Sequence, residues 1–283
     1  MKILITGAKG QLGKCIKDAA ANYPEFDFLF ASRELLNIES EKSVSNIFEN
    51  NRFDYCINTA AYTNVEKAES DQETAFLTNA EGVKHLASHC KRNNTTLIQI
   101  STDYVFDGKK GSPYSEEDST NSLNIYGASK LKGEQYVQEI CQAYYILRTS
   151  WLYSQYGHNF YNTVLRFAKE GKQLTLTTEQ TGTPTNANDL AEAILTIIKI
   201  NSKNYGIYNF SNQGEATWYD FAKEILTQTN QLTKSNLAKT DYYRTFAVRP
   251  SYSVLDTRKY KNTFNKVVFD WKKSLKSFNI KQH

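Results

Sequence analysis

Three glycines, Gly7, Gly10 and Gly13, punctuate the stretch TGAKGQLG near the start of the chain. They follow a short apolar run, KILIT, and lead into a segment with helical spacing, GKCIKDAA. A strand that turns sharply into a helix leaves the first helical N–H groups and the positive end of the helix dipole facing one point. Glycine there permits the tight turn and lets the backbone approach a pyrophosphate. A plain strand-to-helix turn is the bland alternative. The position, between the first strand and the first helix, favours a dinucleotide site and a chain assembled from βαβ units.

The following residues keep that alternation. Strand patterns cover 26–32, 53–62, 95–106 and 143–153, and helical patterns cover 43–51, 71–94 and 125–142. Strands separated by helices predict a Rossmann-like α/β fold with a doubly wound parallel sheet. After Trp151 the pattern is less regular: a helix over 159–171, a strand over 174–177, a helix over 188–200 capped by Asn188 or Asp189, a strand over 206–212, and a helix from about Thr217. We expect an NAD(P)-binding domain in 1–150, rejoined by the chain around 187–212, and a smaller, mainly substrate-binding C-terminal domain in 151–283.

Composition narrows the function. The 283 residues are 40% hydrophobic and 23% charged, and no apolar run nears the ~18 residues of a membrane span. The opening MKILITGAKG ends its apolar run in a glycine turn with no cleavage site, unlike a signal peptide, so a cytoplasmic location is expected. A net charge of +4 is too small and dispersed for nucleic-acid binding, although a local pocket for an anionic small molecule is compatible with it. Cys15, Cys56, Cys90 and Cys141 lack the paired spacing of a zinc site and read as reduced core thiols.

Two Tyr-x-x-x-Lys pairs compete for chemistry: Tyr126 with Lys130, and Tyr219 with Lys223. Residues i and i+4 share a helix face, so either pair could aim a phenol and an ammonium at one point. With 19 tyrosines in the chain, spacing alone does not choose. Context does. Tyr126 follows, by one loop, a strand ending in Ser101, Thr102 and Asp103, at the sheet edge where open α/β folds hold ligands. There a phenol could protonate a carbonyl oxygen that Thr102 also binds, and the Lys130 charge is expected to lower the phenol pKa. Tyr219 follows no such strand and reads as a packing residue. At the end of the second strand stand Ser32 and Arg33 in place of an acidic residue that would hold a ribose diol, which favours a 2′-phosphate and NADPH over NADH.

Gly7/Gly10/Gly13, NTAAYTNVEKAE (58–69), STDYVFDG (101–108), NIYGASKLKGE (124–134), RTSWLY (148–153) and RPSYSVLD (249–256) occur in this order. Together they resemble the extended short-chain dehydrogenase/reductases, and within them the dTDP-4-dehydrorhamnose reductases, from residue 1 to about 260. The three-and-three glycine spacing is typical of the superfamily; YTNVEKAE, STDYVFDG and RTSW are specific to the narrower group. The resemblance implies reduction of the C4 keto group of dTDP-4-dehydro-L-rhamnose by NADPH or NADH, the last step of dTDP-rhamnose biosynthesis. It implies a catalytic triad of Thr102, Tyr126 and Lys130. It further implies a pyrophosphate loop of Gly10, Gln11 and Leu12, an adenine-side contact at Asn37 and Ile38, a cofactor wall of Ala61, Tyr62 and Thr63, and substrate contacts at Asp103 and Trp151. Arg249 is the candidate for the substrate pyrophosphate. Asn37, Thr59 and Glu179 depart from the family's usual Asp, Ala and Asp.

His85 and His89, one helical turn apart with Glu81 before them, could in principle hold a metal, but a half-exposed helix face is the simpler reading and no metal is expected. No nucleic-acid or membrane partner is expected, and a homodimer is compatible with the sequence. Two other readings stay open: a reductase or epimerase of another nucleotide-linked keto sugar, and a non-catalytic, cofactor-binding regulatory subunit of the same fold. Against the last, a binding module has no need of the proton donor.

Overall fold

The computed structural model describes residues 1–242 and 244–282; His283, the end of the expected substrate-binding region, lies outside them. Six strands form one parallel sheet: β1 (Lys2–Thr6), β2 (Asp27–Phe30), β3 (Tyr55–Asn58), β4 (Thr96–Thr102), β5 (Tyr144–Thr149) and, much later in the chain, β10 (Gly206–Asn209). Their order is β2-β1-β3-β4-β5-β10. The central strands are buried on both faces, as a sheet covered by helices on each side requires. The chain leaves β1 towards one edge and returns on the other side with β3. This switch point opens a crevice at the carboxyl ends of β1 and β3.

Helix α1 (Gln11–Ala19) covers one face of the sheet, α2 (Glu41–Glu49) the other. Two short helices, α3 (Val65–Ala68) and α4 (Gln72–Phe76), lead to α5 (Gly82–Arg92), and α6 (Ile125–Ile140) packs beside α5. The helix expected over 71–94 is thus interrupted: between α4 and α5, Leu77–Glu81 wind as a π-helix. The reason is visible in Asn79. Its side chain accepts from Tyr62 N (2.9 Å) and donates to Tyr62 O (3.0 Å) and to Ser129 Oγ (3.0 Å). Regular winding would turn this buried amide away from both partners.

The strand expected over 143–153 also breaks. β5 stops at Thr149, and β6 (Leu152–Tyr153) starts a different ribbon after Trp151, whose φ of +44° reverses the chain. The second region contains α7 (Phe160–Lys169), β7 (Leu174–Thr177), β8 (Thr181–Gly182), β9 (Thr185–Asn186), α8 (Ala187–Ile200), β11 (Ala216–Thr217), α9 (Trp218–Gln228), β12 (Leu237–Thr240), α10 (Arg258–Phe264) and α11 (Trp271–Gln282). β6 pairs with β9, β8 with β11, and β7 with β12. The cap of α8 lies two or three residues before the expected one: Asn186, not Asn188 or Asp189, accepts from Asn188 N (3.0 Å). α8 then packs along α1, while α7, α9 and α11 enclose a separate apolar core around Tyr153, Phe221, Trp271 and Leu275.

Candidate active site

A cleft of about 540 Å³ lies at the switch point and is lined by Gly10, Gln11, Leu12, Ala61 and Thr63 on one side and Thr102, Asp103, Tyr126, Lys130 and Trp151 on the other. A smaller cavity of about 260 Å³ continues past Gly7 to Arg33, Asn37 and Ile38. A third, of about 410 Å³, opens between Asn159, Thr163, Leu176, Trp218 and Arg249. His158 and Asn159 line both the third cavity and the main cleft.

The glycine turn fits a dinucleotide. Gly7 has φ +62°, and a side chain there would lie 2.7 Å from Ala60 N, so only glycine brings the turn this close to the end of β3. Gly13 is buried against Ala8 and acts by packing, not by lining the cleft. Gly10 is exposed, and a Cβ there would meet only Gly7 O, at 3.1 Å, so it would fill space on the cleft side. Gly10 caps α1 with no side-chain bond, and no acidic residue stands in the first turn. The leading N–H groups of α1 are therefore available to an anion. Gln11 contributes backbone here; its side chain spans instead to Leu152 O (3.2 Å) and accepts from Asn159 Nδ2 (2.7 Å), tying the turn to the second region.

In the smaller cavity, Arg33 bonds Glu39 at 2.6 Å and Lys9 bonds Glu34 at 3.0 Å. Both cations line this cavity, and sequence reasoning overlooked Lys9. Ser32 turns to Glu34, whose carboxyl is held down to about 2, first by the Ser32 hydroxyl, then by its own backbone N–H and by Lys9. Asn37 Oδ1 accepts from Glu39 N (3.2 Å), so its side chain shapes the loop. Of the expected wall, Ala61 and Thr63 line the cleft. Tyr62 does not: its phenol donates to Asp71 Oδ2 (3.2 Å) and its backbone is gripped by Asn79.

The catalytic candidates converge. Thr102, the last residue of β4, stands beside the Tyr126 phenol, and its hydroxyl donates to Asp103 Oδ1 at 3.0 Å. Tyr126 sits in the first turn of α6, fixed by two bonds that hydrophobic periodicity does not reveal. Asn124 accepts from Gly127 N (2.8 Å), and Glu69, from the VEKAE stretch, accepts from Ile125 N (2.8 Å). Lys130 is 4% exposed and donates to Ile100 O at 2.6 Å. Burial pulls its ammonium down to about 8, partly offset by Glu134 one turn further on. The phenol departs from expectation. Burial pushes Tyr126 up to about 12, with the nearby Asp103 charge adding to it, against the pull of the Thr102 hydroxyl. Asp103 is 2% exposed, and burial raises its carboxyl to about 6, restrained by the hydroxyls of Ser253 and Thr102.

Trp151 faces this group across the cleft. Its left-handed backbone costs a non-glycine residue roughly 1–3 kcal/mol, which the surrounding contacts must offset. Arg249 does not reach the main cleft. It lines the third cavity, bonds Glu66 Oε1 at 2.6 Å and contacts the Tyr104 hydroxyl; the Tyr104 ring meets Tyr126 edge-on at 6.0 Å. Glu66 also accepts from Phe246 N (2.8 Å) and Ala247 N (3.2 Å), and Asn124 donates to Val248 O (2.8 Å). Glu66 and Glu69 thus give NVEKAE a physical meaning: one fastens the 246–249 strap, the other seats the helix that carries Tyr126.

The second Tyr-Lys pair lies elsewhere. Tyr219 is half-buried beneath Lys239, 4.7 Å from its ring, and Lys223 is exposed. Of the histidine pair only His85 is half-exposed, its Nδ1 3.0 Å from Ile38 O; His89 is buried against Phe48, its ring pulled below the usual imidazole range by burial. No helix among the described residues is long and apolar enough to cross a membrane.

A family model described as RmlD substrate binding domain matches residues 1–282. The dTDP-4-dehydrorhamnose reductase of Aggregatibacter actinomycetemcomitans is 35% identical over 286 residues, covering 98% of this chain and 97% of the relative. The crystal structure of the Bacillus anthracis dTDP-4-dehydrorhamnose reductase in complex with NADP matches with a TM-score of 0.94 at 35% identity, over 99% of each chain. The dTDP-4-dehydrorhamnose reductase structure from Clostridium acetobutylicum matches with a TM-score of 0.93 at 37% identity, over the whole of both chains.

Proposed function

This chain belongs to the RmlD substrate-binding-domain family, that of the dTDP-4-dehydrorhamnose reductases, and from that premise we propose that it is an NADPH-dependent oxidoreductase that reduces the C4 keto group of dTDP-4-dehydro-L-rhamnose to give dTDP-L-rhamnose. The observation that carries the reading is the convergence of Thr102, Tyr126 and Lys130 on the cleft that the Gly10 turn opens. When bound, the reduced nicotinamide supplies hydride. The chain does the rest. Gly10 and the first turn of α1 hold the pyrophosphate, and Lys9 and Arg33, ion-paired at rest with Glu34 and Glu39, line the adenosine end, where a 2′-phosphate would compete for them. The hydroxyls of Thr102 and Tyr126 converge on the substrate C4 oxygen. As charge develops there, Tyr126 passes its proton to that oxygen. A phenol raised by burial stays protonated across the working pH range, as a proton donor must. The Lys130 ammonium, one helical turn along, keeps positive charge beside the phenolate that results.

Residues 1–150 with 187–212 serve as the cofactor part in this reading, and the remainder of 151–283 covers the sugar nucleotide. The four buried, unpaired cysteines support a reducing cytoplasm, and a homodimer is compatible with the reading. The test is NADPH oxidation with substrate generated in situ from dTDP-glucose by the upstream dehydratase and epimerase. Oxidation that requires the epimerase is the expected result. Oxidation with the dehydratase alone would identify another 4-keto sugar as substrate, and none at all would favour a non-catalytic role.

The pH profile checks the same residues. kcat/KM reports groups of the free enzyme. It should fall below about pH 6, where Asp103 takes up a proton, and above about pH 8, where Lys130 loses one. Asp103→Asn should remove the acid limb only. An alkaline limb near the ordinary lysine value would overturn the assignment to Lys130.

A further inference from the structure

We propose that Trp218 is a positioning residue, which sets the wall of the sugar site by holding Trp151. The inference rests on the reading above for its substrate. Trp151 lines the catalytic cleft, whereas Trp218 lines only the third cavity. Their indoles stack with centroids 3.6 Å apart and planes within 5°, so the pair forms the partition between the two spaces. A nucleotide sugar has two parts, and this partition separates the place where the sugar reacts from the place where the rest of the ligand lies.

Trp151 is held from several directions. Ser150 Oγ donates to Thr183 O (2.8 Å), and Thr185 N donates to Trp151 O (3.2 Å), which ties both sides of the left-handed turn to the 183–185 segment. Gly182 supplies a notch: a Cβ there would fall 2.6 Å from the Trp151 ring. Trp218 is itself fixed. It is the first residue of α9, inside the Thr217/Asp220 capping box, its indole N–H donates to Gln180 Oε1 (2.9 Å), and the Phe160 ring lies 4.6 Å away. β8 and β11, which carry Gly182 and lead into Trp218, pair with each other, so notch and stacking partner move as one ribbon. The left-handed backbone at Trp151 has no local reason in the residue type. It is imposed by this ribbon, and the ring direction that follows is what the sugar meets.

The test compares Trp218→Leu, Trp218→Phe and Gly182→Ala, each alone and in a Trp151→Leu background. Calorimetry gives affinities for dTDP-L-rhamnose, dTDP and NADPH, and steady-state kinetics gives kcat and KM. Trp218→Leu should weaken dTDP-L-rhamnose about tenfold more than dTDP, with NADPH affinity unchanged, in line with losing one well-packed aromatic contact. Trp218→Phe should recover most of that loss. Gly182→Ala should reproduce the Trp218→Leu pattern although Trp218 is intact. In the Trp151→Leu background, Trp218→Leu should add less than about twofold, because it acts through the ring already removed. Full additivity, or equal losses for dTDP and dTDP-L-rhamnose, would overturn the proposal and make Trp218 an independent nucleotide contact. If Trp218→Leu fails to fold, the Phe and Gly182 variants decide. A wild-type chain that binds dTDP but not dTDP-L-rhamnose would instead count against the proposed function.

Discussion

Tyr126→Phe should lower kcat by about two to four orders of magnitude while leaving NADPH affinity within a few-fold, as loss of a general acid predicts. The phenol touches the Thr102 hydroxyl and lines the cleft beside Lys130, so removing its O–H deletes the proton donor and little else. The ring still packs against Tyr104, and Asn124 and Glu69 still seat the helix. Residual turnover would reflect polarisation by Thr102 and delivery of the proton by water. Tyr219→Phe is the control, because Tyr219 lies under Lys239 with its Lys223 partner in solvent. Equal losses in the two variants would sink the assignment of the catalytic pair.

Glu134→Leu should cost about 3–5 kcal/mol of stability, the usual penalty for leaving half of a buried ion pair. Arg148 Nε and Nη2 grip both Glu134 oxygens, at 3.0, 3.2 and 2.7 Å, and the two side chains are 3% and 0% exposed. The Arg148 guanidinium also lies over the Phe106 ring at 5.1 Å. Without Glu134 this cation remains under the active site with no counter-charge. Thermal unfolding should show a drop in Tm on the order of 10 °C. Arg148→Met added to Glu134→Leu should recover much of it, since an apolar pair can replace a buried ionic one. Glu134 also raises the Lys130 ammonium, so the alkaline limb of kcat/KM should move to lower pH in Glu134→Leu. A limb that stays in place would mean that Glu134 serves the fold alone.

The cofactor half was readable because its signals are local. A glycine turn, short apolar strands and helices between them are written within a few residues of each other, and they single out Gly7, Gly10, Thr102, Tyr126 and Lys130, which line the cleft and its extension. What stayed hidden depends on partners far away in sequence. The apolar run through 143–153 carries no sign of a break, because the reversal at Trp151 is imposed by the ribbon around Gly182 and Trp218. Asn79 looked like any polar residue on a helix, and its three bonds run to Tyr62 and Ser129. Helix α6 buries Ser129, Lys130 and Glu134 along with small residues, so its inward face is polar and hydrophobic periodicity does not reveal it. Arg249 lines the third cavity, but its bond to Glu66, 183 positions away, has no local sign in the sequence. His89, read as half-exposed, packs inside.

The π-wound segment at 77–81 has a consequence for how the chain tolerates a change of length. It inserts a phase shift of about 100° between α4 and α5, the angle one residue occupies in an α-helix. Deleting one residue there would let the two helices merge into a single smooth rod, a gain in local regularity. The same deletion would rotate one end against the other, so that Asn79 could no longer face Tyr62 and Ser129 together. Insertions and deletions, which surface loops absorb easily, are therefore unavailable to this helix: its irregular winding acts as a fixed gear ratio between the turn at Tyr62 and the helix that carries Tyr126 and Ser129.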